Sequence, residues 1–250
     1  MRSPAAGPQE AEVTGGAQLV HDPGVALSRE RVLELVQLQT GDEKHDESST
    51  STLDALWVLY ERVLRVDPSA PKDEARDRFI LSKGHGPSAY YAVLAAKGFF
   101  PEDLLAGFLE WGNPLGSHPD RNQVPGVEAS TGSLGHGLAL AVGSALALRA
   151  RGSTEQRVVV LCGDAELNEG SNWESVLLAP YLNLTNLTLL VIDNHSSSIP
   201  MGPWEARLGS FGWDVVVVDG HDHEQLFDAL SNRPTDRPNA VVADIPEGER

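Results

Sequence analysis

The sequence has 250 residues, 41% hydrophobic and 22% charged, enough chain for one large domain or two small ones of ordinary soluble composition. Its formal net charge of −17 opposes a phosphate backbone, which excludes nucleic acid as an expected partner, and the acid excess reads as a solvated surface. No apolar run approaches the roughly 20 residues that span a bilayer, so no membrane partner is expected. The N-terminus lacks the order of a secretory signal. The one cysteine, Cys162, can form no disulfide within the chain, so the expectation is a cytoplasmic protein.

Residues 1–27 are rich in Ala, Gly, Pro and Glu and predict a mobile tail, with a single domain over 28–250. Ser28 is placed to cap a helix that begins near Arg29. Val32, Leu35, Val36 and Gln39 follow the three-four spacing of a half-buried helix that ends near Gly41. Residues 42–50 are polar and carry no periodic pattern. A second helix is predicted from about Ser51 to Val66, before Asp67-Pro68. Glycines then crowd the segment 82–137, as they do where backbone approaches a bound ligand. Leu138 to Arg149 is small and apolar and predicts a buried helix.

The second half changes character. Val158–Cys162, Leu187–Ile192, Val215–Val218 and Ala240–Ala243 are short apolar runs bounded by polar or turn residues. Apolar runs without alternation suit strands buried on both faces of a parallel sheet. Helical stretches over Ser171–Leu182 and His223–Leu230 supply crossovers between them. The fold class expected is α/β, a parallel sheet flanked by helices on both faces.

In such sheets, ligands bind outside the carboxyl ends of the strands. The first clear strand runs into Gly163-Asp164-Ala165-Glu166, and the next ends in Asp193-Asn194. Asp164 and Asn194 offer two hard oxygen ligands, too few to cage magnesium alone but suited to a magnesium whose other ligands are phosphate oxygens. Gly163 allows a close backbone approach to such a phosphate. The same two residues also fit a helix cap and a turn, and taken alone the pair leaves both readings open.

The surrounding residues narrow the choice. Gly163-Asp-Ala-Glu-Leu-Asn-Glu-Gly170, followed by Trp173-Glu174 and closed by Asn194, resembles the thiamine-diphosphate motif of transketolases. Arg78-Phe-Ile-Leu-Ser-Lys-Gly-His-Gly86, Gly116-Ser-His-Pro-Asp120, Pro125-Gly-Val-Glu-Ala-Ser-Thr-Gly-Ser-Leu-Gly-His-Gly137 and Val218-Asp-Gly-His-Asp222 resemble further segments of that family, in order, from about residue 28 to 245. The resemblance is to the separate amino-terminal subunit of two-subunit transketolases. It implies a thiamine-diphosphate-binding fold over 28–250, with thiamine diphosphate and Mg2+ as cofactors. Asp164 and Asn194 would bind the metal, with a backbone carbonyl near Ser196. His85 would contact a phosphate oxygen, Ala165 would offer its N–H to the diphosphate, and Gly132, Ser133, Leu134 and Gly163 would line the cofactor. His45 and His118 would serve the substrate as catalytic groups, and Glu169 and Glu174 would link two active sites by a proton network. The implied partner is a carboxyl-terminal, pyrimidine-binding subunit in a dimer of heterodimers, and the implied substrate is a small ketose or 2-oxo compound.

The residues also carry blander readings. Glu169 and Glu174 suit a helix N-terminus as acids, His118 suits a loop, and Lys83 suits phosphate or solvent; His136 and His221 have no assigned role. Three departures stand out, the first being that the loop from Asn194 to Gly202, with Ser196-Ser-Ser198, is longer than the family's, which leaves the metal-binding carbonyl unassigned. Lys44-His-Asp-Glu-Ser-Ser49 lacks glycines that the family carries beside its histidine, and Ala165 stands where glycine is usual, which demands a negative φ there. Three functions remain: transfer of a two-carbon ketol unit, a decarboxylating acyl-forming subunit resembling the first component of 2-oxoacid dehydrogenases, and a non-catalytic relative acting as an interaction protein. Retained His118 favours the first.

Overall fold

A computed structural model describes residues 27–39, 50–153 and 155–246. The chain opens with α1 (Arg29–Gln37) and α2 (Leu53–Val58), the latter running into a π-helical turn over Leu59–Val63. Next come β1 (Arg78–Leu81), α3 (Ser88–Ala96), a 3-10 turn (Glu102–Gly107), α4 (Gly137–Ala150) and β2 (Val158–Gly163). A second 3-10 turn (Ala165–Asn168) leads to α5 (Gly170–Tyr181), β3 (Leu187–Asp193) and α6 (Trp204–Gly209). The fold closes with β4 (Asp214–Asp219), α7 (His223–Ser231) and β5 (Asn239–Asp244). The five strands form one sheet in the order β1-β2-β3-β5-β4, every pair parallel. Among the described residues no helix is long and apolar enough to cross a membrane.

The apolar strand runs feed two cores. Phe79, Leu81, Val159, Leu161, Leu190, Ile192, Val241 and Ala243 face the layer of α1, α2, α3 and α7. Ile80, Val158, Val160, Cys162, Leu189, Val191 and Val242 face the layer of α4, α5 and α6. Strand side chains alternate between faces, so helices on both sides require both sets to be apolar. Cys162 is fully buried there and behaves as a small hydrophobe.

Several expectations need correction. Residues 1–26 lie outside the described residues, but Leu27 is buried and fixed: its N–H donates to Glu61 Oε2 at 3.1 Å and its carbonyl accepts from Trp57 Nε1 at 2.6 Å. Ser28 caps α1 as expected, accepting from the Arg31 N–H. The helix ends at Gln37, not near Gly41, and the second helical stretch stops at Val63 rather than Val66. α4 is not buried all round, since Leu140 is 48% exposed. β4 is not a doubly covered strand: it stands at the sheet edge, with Val216 and Val217 exposed. An apolar run reports affinity for a core, but an edge position is set by strand order. β1 and α3 are elements that the sequence patterns above do not mark.

Asp54, buried in α2, ties distant parts of the chain together. Its Oδ1 lies 2.8 Å from His223 Nε2, its Oδ2 lies 2.9 Å from His221 Nδ1, and Arg29 donates to both oxygens. Burial pushes this carboxyl up, but the bonds from Arg29, His221 and His223 outweigh it and hold it at about 2. A depressed carboxyl stabilises the fold above its unfolded pKa, near 3.9, and that contribution is lost as pH falls towards 2. Asp54→Asn is therefore expected to cost about 2 kcal/mol at neutral pH, with the difference from wild type shrinking below about pH 4. Urea unfolding of both proteins across pH checks this; a gap independent of pH refutes it.

Candidate functional site

The parallel register brings the ends of β1, β2 and β3 to one edge of the sheet. Gly163 pairs with Ile192, and the N–H of Asp164 donates to the Ile192 carbonyl at 3.0 Å, so Asp164 and Asn194 leave adjacent strands at the same level. Both are buried. The Asp164 carboxylate accepts from Ser196 Oγ at 2.7 Å and from the Ser197 N–H at 2.9 Å, which folds the loop after β3 over it. Asn194 Nδ2 lies 3.5 Å from Ser51 Oγ. The donor chemistry available from a carboxylate, an amide and a backbone carbonyl is all oxygen, the kind that Mg2+ prefers.

Three loops close over this edge. A Cβ on Gly84 would stand 2.6 Å from the Gly132 nitrogen, so the Lys83-Gly84-His85 segment and the Thr131-Gly132 segment touch backbone to backbone. Gly132 has φ 137°, and a side chain there would meet the His118 ring at 2.4 Å. The His118 loop is tied to the same segment by Thr131 N–H to Pro119 O at 3.3 Å and Ser130 Oγ to Asp120 Oδ1 at 3.0 Å. As a result the rings of His85 and His118 meet edge to face, centroids 4.9 Å apart. His118 is exposed, with Nδ1 3.1 Å from Ser117 Oγ. These residues come from segments far apart in sequence.

The other expected residues are placed as follows. Ser133 is exposed and Leu134 lies beside Gly135. Glu169 stands at the N-cap of α5, and a Cβ on Gly135 would meet its Cβ at 2.7 Å; Glu174 lies further along the helix, exposed. His45 falls outside the described residues. Ala165 opens the 3-10 turn and is absent from the residues with positive φ, so the methyl is sterically allowed. Ala165→Gly should accordingly leave cofactor affinity within a few fold, since the backbone donor stays and mainly unfolded-state freedom is added. A titration that showed a large gain in affinity would mean that the methyl obstructs the site.

Sequence reasoning left Lys83 between phosphate and solvent, and it missed both the burial of Lys83 with Glu166 and the pairing behind Asn194. Lys83 and Glu166 are buried beside Asp164. Burial lowers the Lys83 ammonium to about 8, against the pull of the Glu166 and Asp164 carboxylates. Behind Asn194, the His195 backbone takes φ 54° and its Nε2 lies 2.9 Å from Asp244 Oδ1, with Trp204 Nε1 donating to Asp193. This pairing anchors the loop that carries Ser196, and nothing in the local pattern announces it.

Residues 24–244 match the family described as transketolase, thiamine diphosphate binding domain. A Rhodococcoides fascians protein named ferredoxin fas2 is 50% identical over 213 residues, covering 84% of this chain and 70% of that protein. An apulose-4-phosphate transketolase subunit from Actinobacillus succinogenes is 37% identical over 215 residues, covering 82% of this chain and 76% of that one. Among solved structures, transketolase from Leishmania mexicana superposes with TM-score 0.73 at 28% identity, over 87% of this chain. This chain spans 36% of that transketolase's length.

Proposed function

This chain belongs to the transketolase family, and from that membership we propose that it is the diphosphate-binding, amino-terminal subunit of a two-subunit enzyme that transfers a two-carbon ketol unit. The observation that carries the proposal is the convergence of Asp164, Asn194, His85, His118 and Gly132 at one edge of the sheet, in a chain similar to one separate subunit of a transketolase. The ferredoxin name of one relative does not extend to this chain: ferredoxin clusters are held by four cysteine ligands, and this chain has one cysteine, which is buried. Among the described residues, no feature of the site favours the acyl-forming alternative.

The chain's residues would divide the work as follows. Asp164, Asn194 and the Ser196 position would hold Mg2+, which would offset the diphosphate charge. The Ala165 N–H, at the start of a turn, would donate to a phosphate oxygen, and His85 and Lys83 lie on the segment that closes the same edge. When bound, the thiamine ring supplies a carbon nucleophile and an electron sink. His118, exposed next to His85, holds the hydroxyl of the transferred unit and moves a proton, as a neutral imidazole can both donate and accept. Glu169, at the N-cap of α5, and Glu174, further along that helix, would relay protons towards a second site.

The remaining parts of the catalytic apparatus are assigned to a pyrimidine-binding partner, assembled as a dimer of heterodimers, with a small ketose as donor. The outer faces of α4 and α5 carry the exposed side chains Leu140, Leu177, Leu178 and Tyr181, the last three on the same helix as Glu174, and supply apolar surface for that partner. The test is an assay of the purified chain with thiamine diphosphate and Mg2+, alone and with a carboxyl-terminal transketolase subunit. Turnover is expected only with both chains. Full ketol transfer by this chain alone refutes the division of labour.

A further inference from the structure

Glu166 lies two residues after the expected metal ligand, in the 3-10 turn that follows β2. The fold buries it, 2% exposed. Its Oε1 accepts from Ser82 Oγ at 2.6 Å and from the Gly135 N–H at 3.0 Å. The Ser82 hydroxyl in turn accepts from the Gly137 N–H, the first residue of α4, at 3.1 Å. Gly137 leaves the space for this: a Cβ there would sit 2.3 Å from Ser82 Oγ. Ser82 follows β1 and leads to His85. Gly135 and Gly137 follow Gly132. Glu166 follows Asp164 and Ala165. One carboxylate oxygen therefore joins all three segments that carry the candidate site.

We propose that Glu166, acting with Ser82, is a positioning residue that holds the His85, Gly132 and Asp164 segments in register for cofactor binding. This rests on the cofactor reading given above. Glu166 touches neither of the expected metal ligands by any hydrogen bond among the described residues; it works through backbone N–H groups and a hydroxyl. A buried acceptor with two donors cannot be removed without leaving those donors unsatisfied, or letting water enter, and either result frees the loops. The glycines at 132, 135 and 137 offer little resistance of their own, since the first two hold positive φ and none has a side chain to pack. The clasp supplies the order that these glycines lack.

The test compares Glu166→Ala, Glu166→Gln and Ser82→Ala with wild type, and carries Asp164→Ala as a control. Glutamine keeps a carbonyl oxygen that can accept both bonds, and alanine keeps none. In the cofactor-free chain, amide hydrogen exchange over residues 132–137 is expected to quicken roughly tenfold or more in Glu166→Ala, less in Ser82→Ala, and little in Glu166→Gln. In the assembled complex, the dissociation constant for thiamine diphosphate with Mg2+ is expected to rise roughly tenfold in Glu166→Ala and to return near wild type in Glu166→Gln. At saturating cofactor, kcat should recover, because Glu166 does not touch reacting atoms.

Wild-type exchange and affinity in Glu166→Ala overturn the proposal. So do equal losses in the alanine and glutamine variants, or a fall in kcat at unchanged cofactor affinity. If Glu166→Ala does not fold, Ser82→Ala decides alone: slow exchange at Gly137 after loss of its acceptor refutes the clasp. If Asp164→Ala binds the cofactor as well as wild type, the cofactor reading itself fails, and the exchange data still judge the clasp separately.

Discussion

His118→Ala, assembled with its partner, is expected to transfer ketol units roughly 10²-fold more slowly than wild type while keeping its affinity for thiamine diphosphate, the usual scale for losing a proton-moving group. The geometry separates the two effects. His118 is exposed, and its loop is fixed by bonds that the ring does not make: Thr131 N–H to Pro119 O, Ser130 Oγ to Asp120, and Tyr91 Oη to Gly116 O at 2.9 Å. Removing the imidazole therefore leaves the loop, Gly132 and the Asp164 edge in place. Pro119 also biases the preceding residue towards an extended backbone, which restricts where the ring can point. The readouts are steady-state ketol transfer and a cofactor titration on the same preparation. Transfer at the wild-type rate sinks the role assigned to His118. A wild type that accepts only 2-oxoacids with no hydroxyl beside the carbonyl would instead put the acyl-forming alternative first.

Asp164→Ala should weaken binding of thiamine diphosphate with Mg2+ by well over tenfold, that is, by more than about 1.4 kcal/mol. The substitution removes the one carboxylate from the oxygen set, and with it the charge that holds a divalent ion against a diphosphate. It also strands two donors, Ser196 Oγ and the Ser197 N–H, which now lie 2.7 and 2.9 Å from that carboxylate. The loop over the site then loses its anchor on this side, although the His195–Asp244 pair still holds its base. Asp164→Asn keeps an oxygen but not the charge and should fall between the two. Isothermal titration of the assembled complex measures the effect. Affinity unchanged in Asp164→Ala would remove the metal assignment and with it the basis for the cofactor.

Much of this architecture was legible in the chain. Runs such as Val158–Cys162 and Leu187–Ile192 announce strands covered on both faces, because a residue on either face of a central strand must leave water. The carboxyl ends of such strands are where a ligand belongs, so Gly163-Asp164 and Asn194 could be singled out before any coordinates. The cap at Ser28 was readable because a cap bond spans only three residues. Short-range rules suffice where the partner is near in sequence.

The tertiary structure alone decided the rest. Val215–Val218 reads like the other strands, yet strand order β1-β2-β3-β5-β4 leaves it at the edge, and order is a property of the whole sheet. Leu138–Arg149 reads as a buried helix, yet the packing of α4 on β2 and α5 leaves Leu140 outside. Asp54 meets His221 across 167 residues, and Glu166 meets Ser82 across 84, separations at which no pattern in the chain marks the pair. A charged side chain reads as solvent-facing because burying it without partners is costly. Whether it has partners depends on which distant segments the fold brings within hydrogen-bonding reach, and for Asp54 and Glu166 that is set by strand pairing and helix packing.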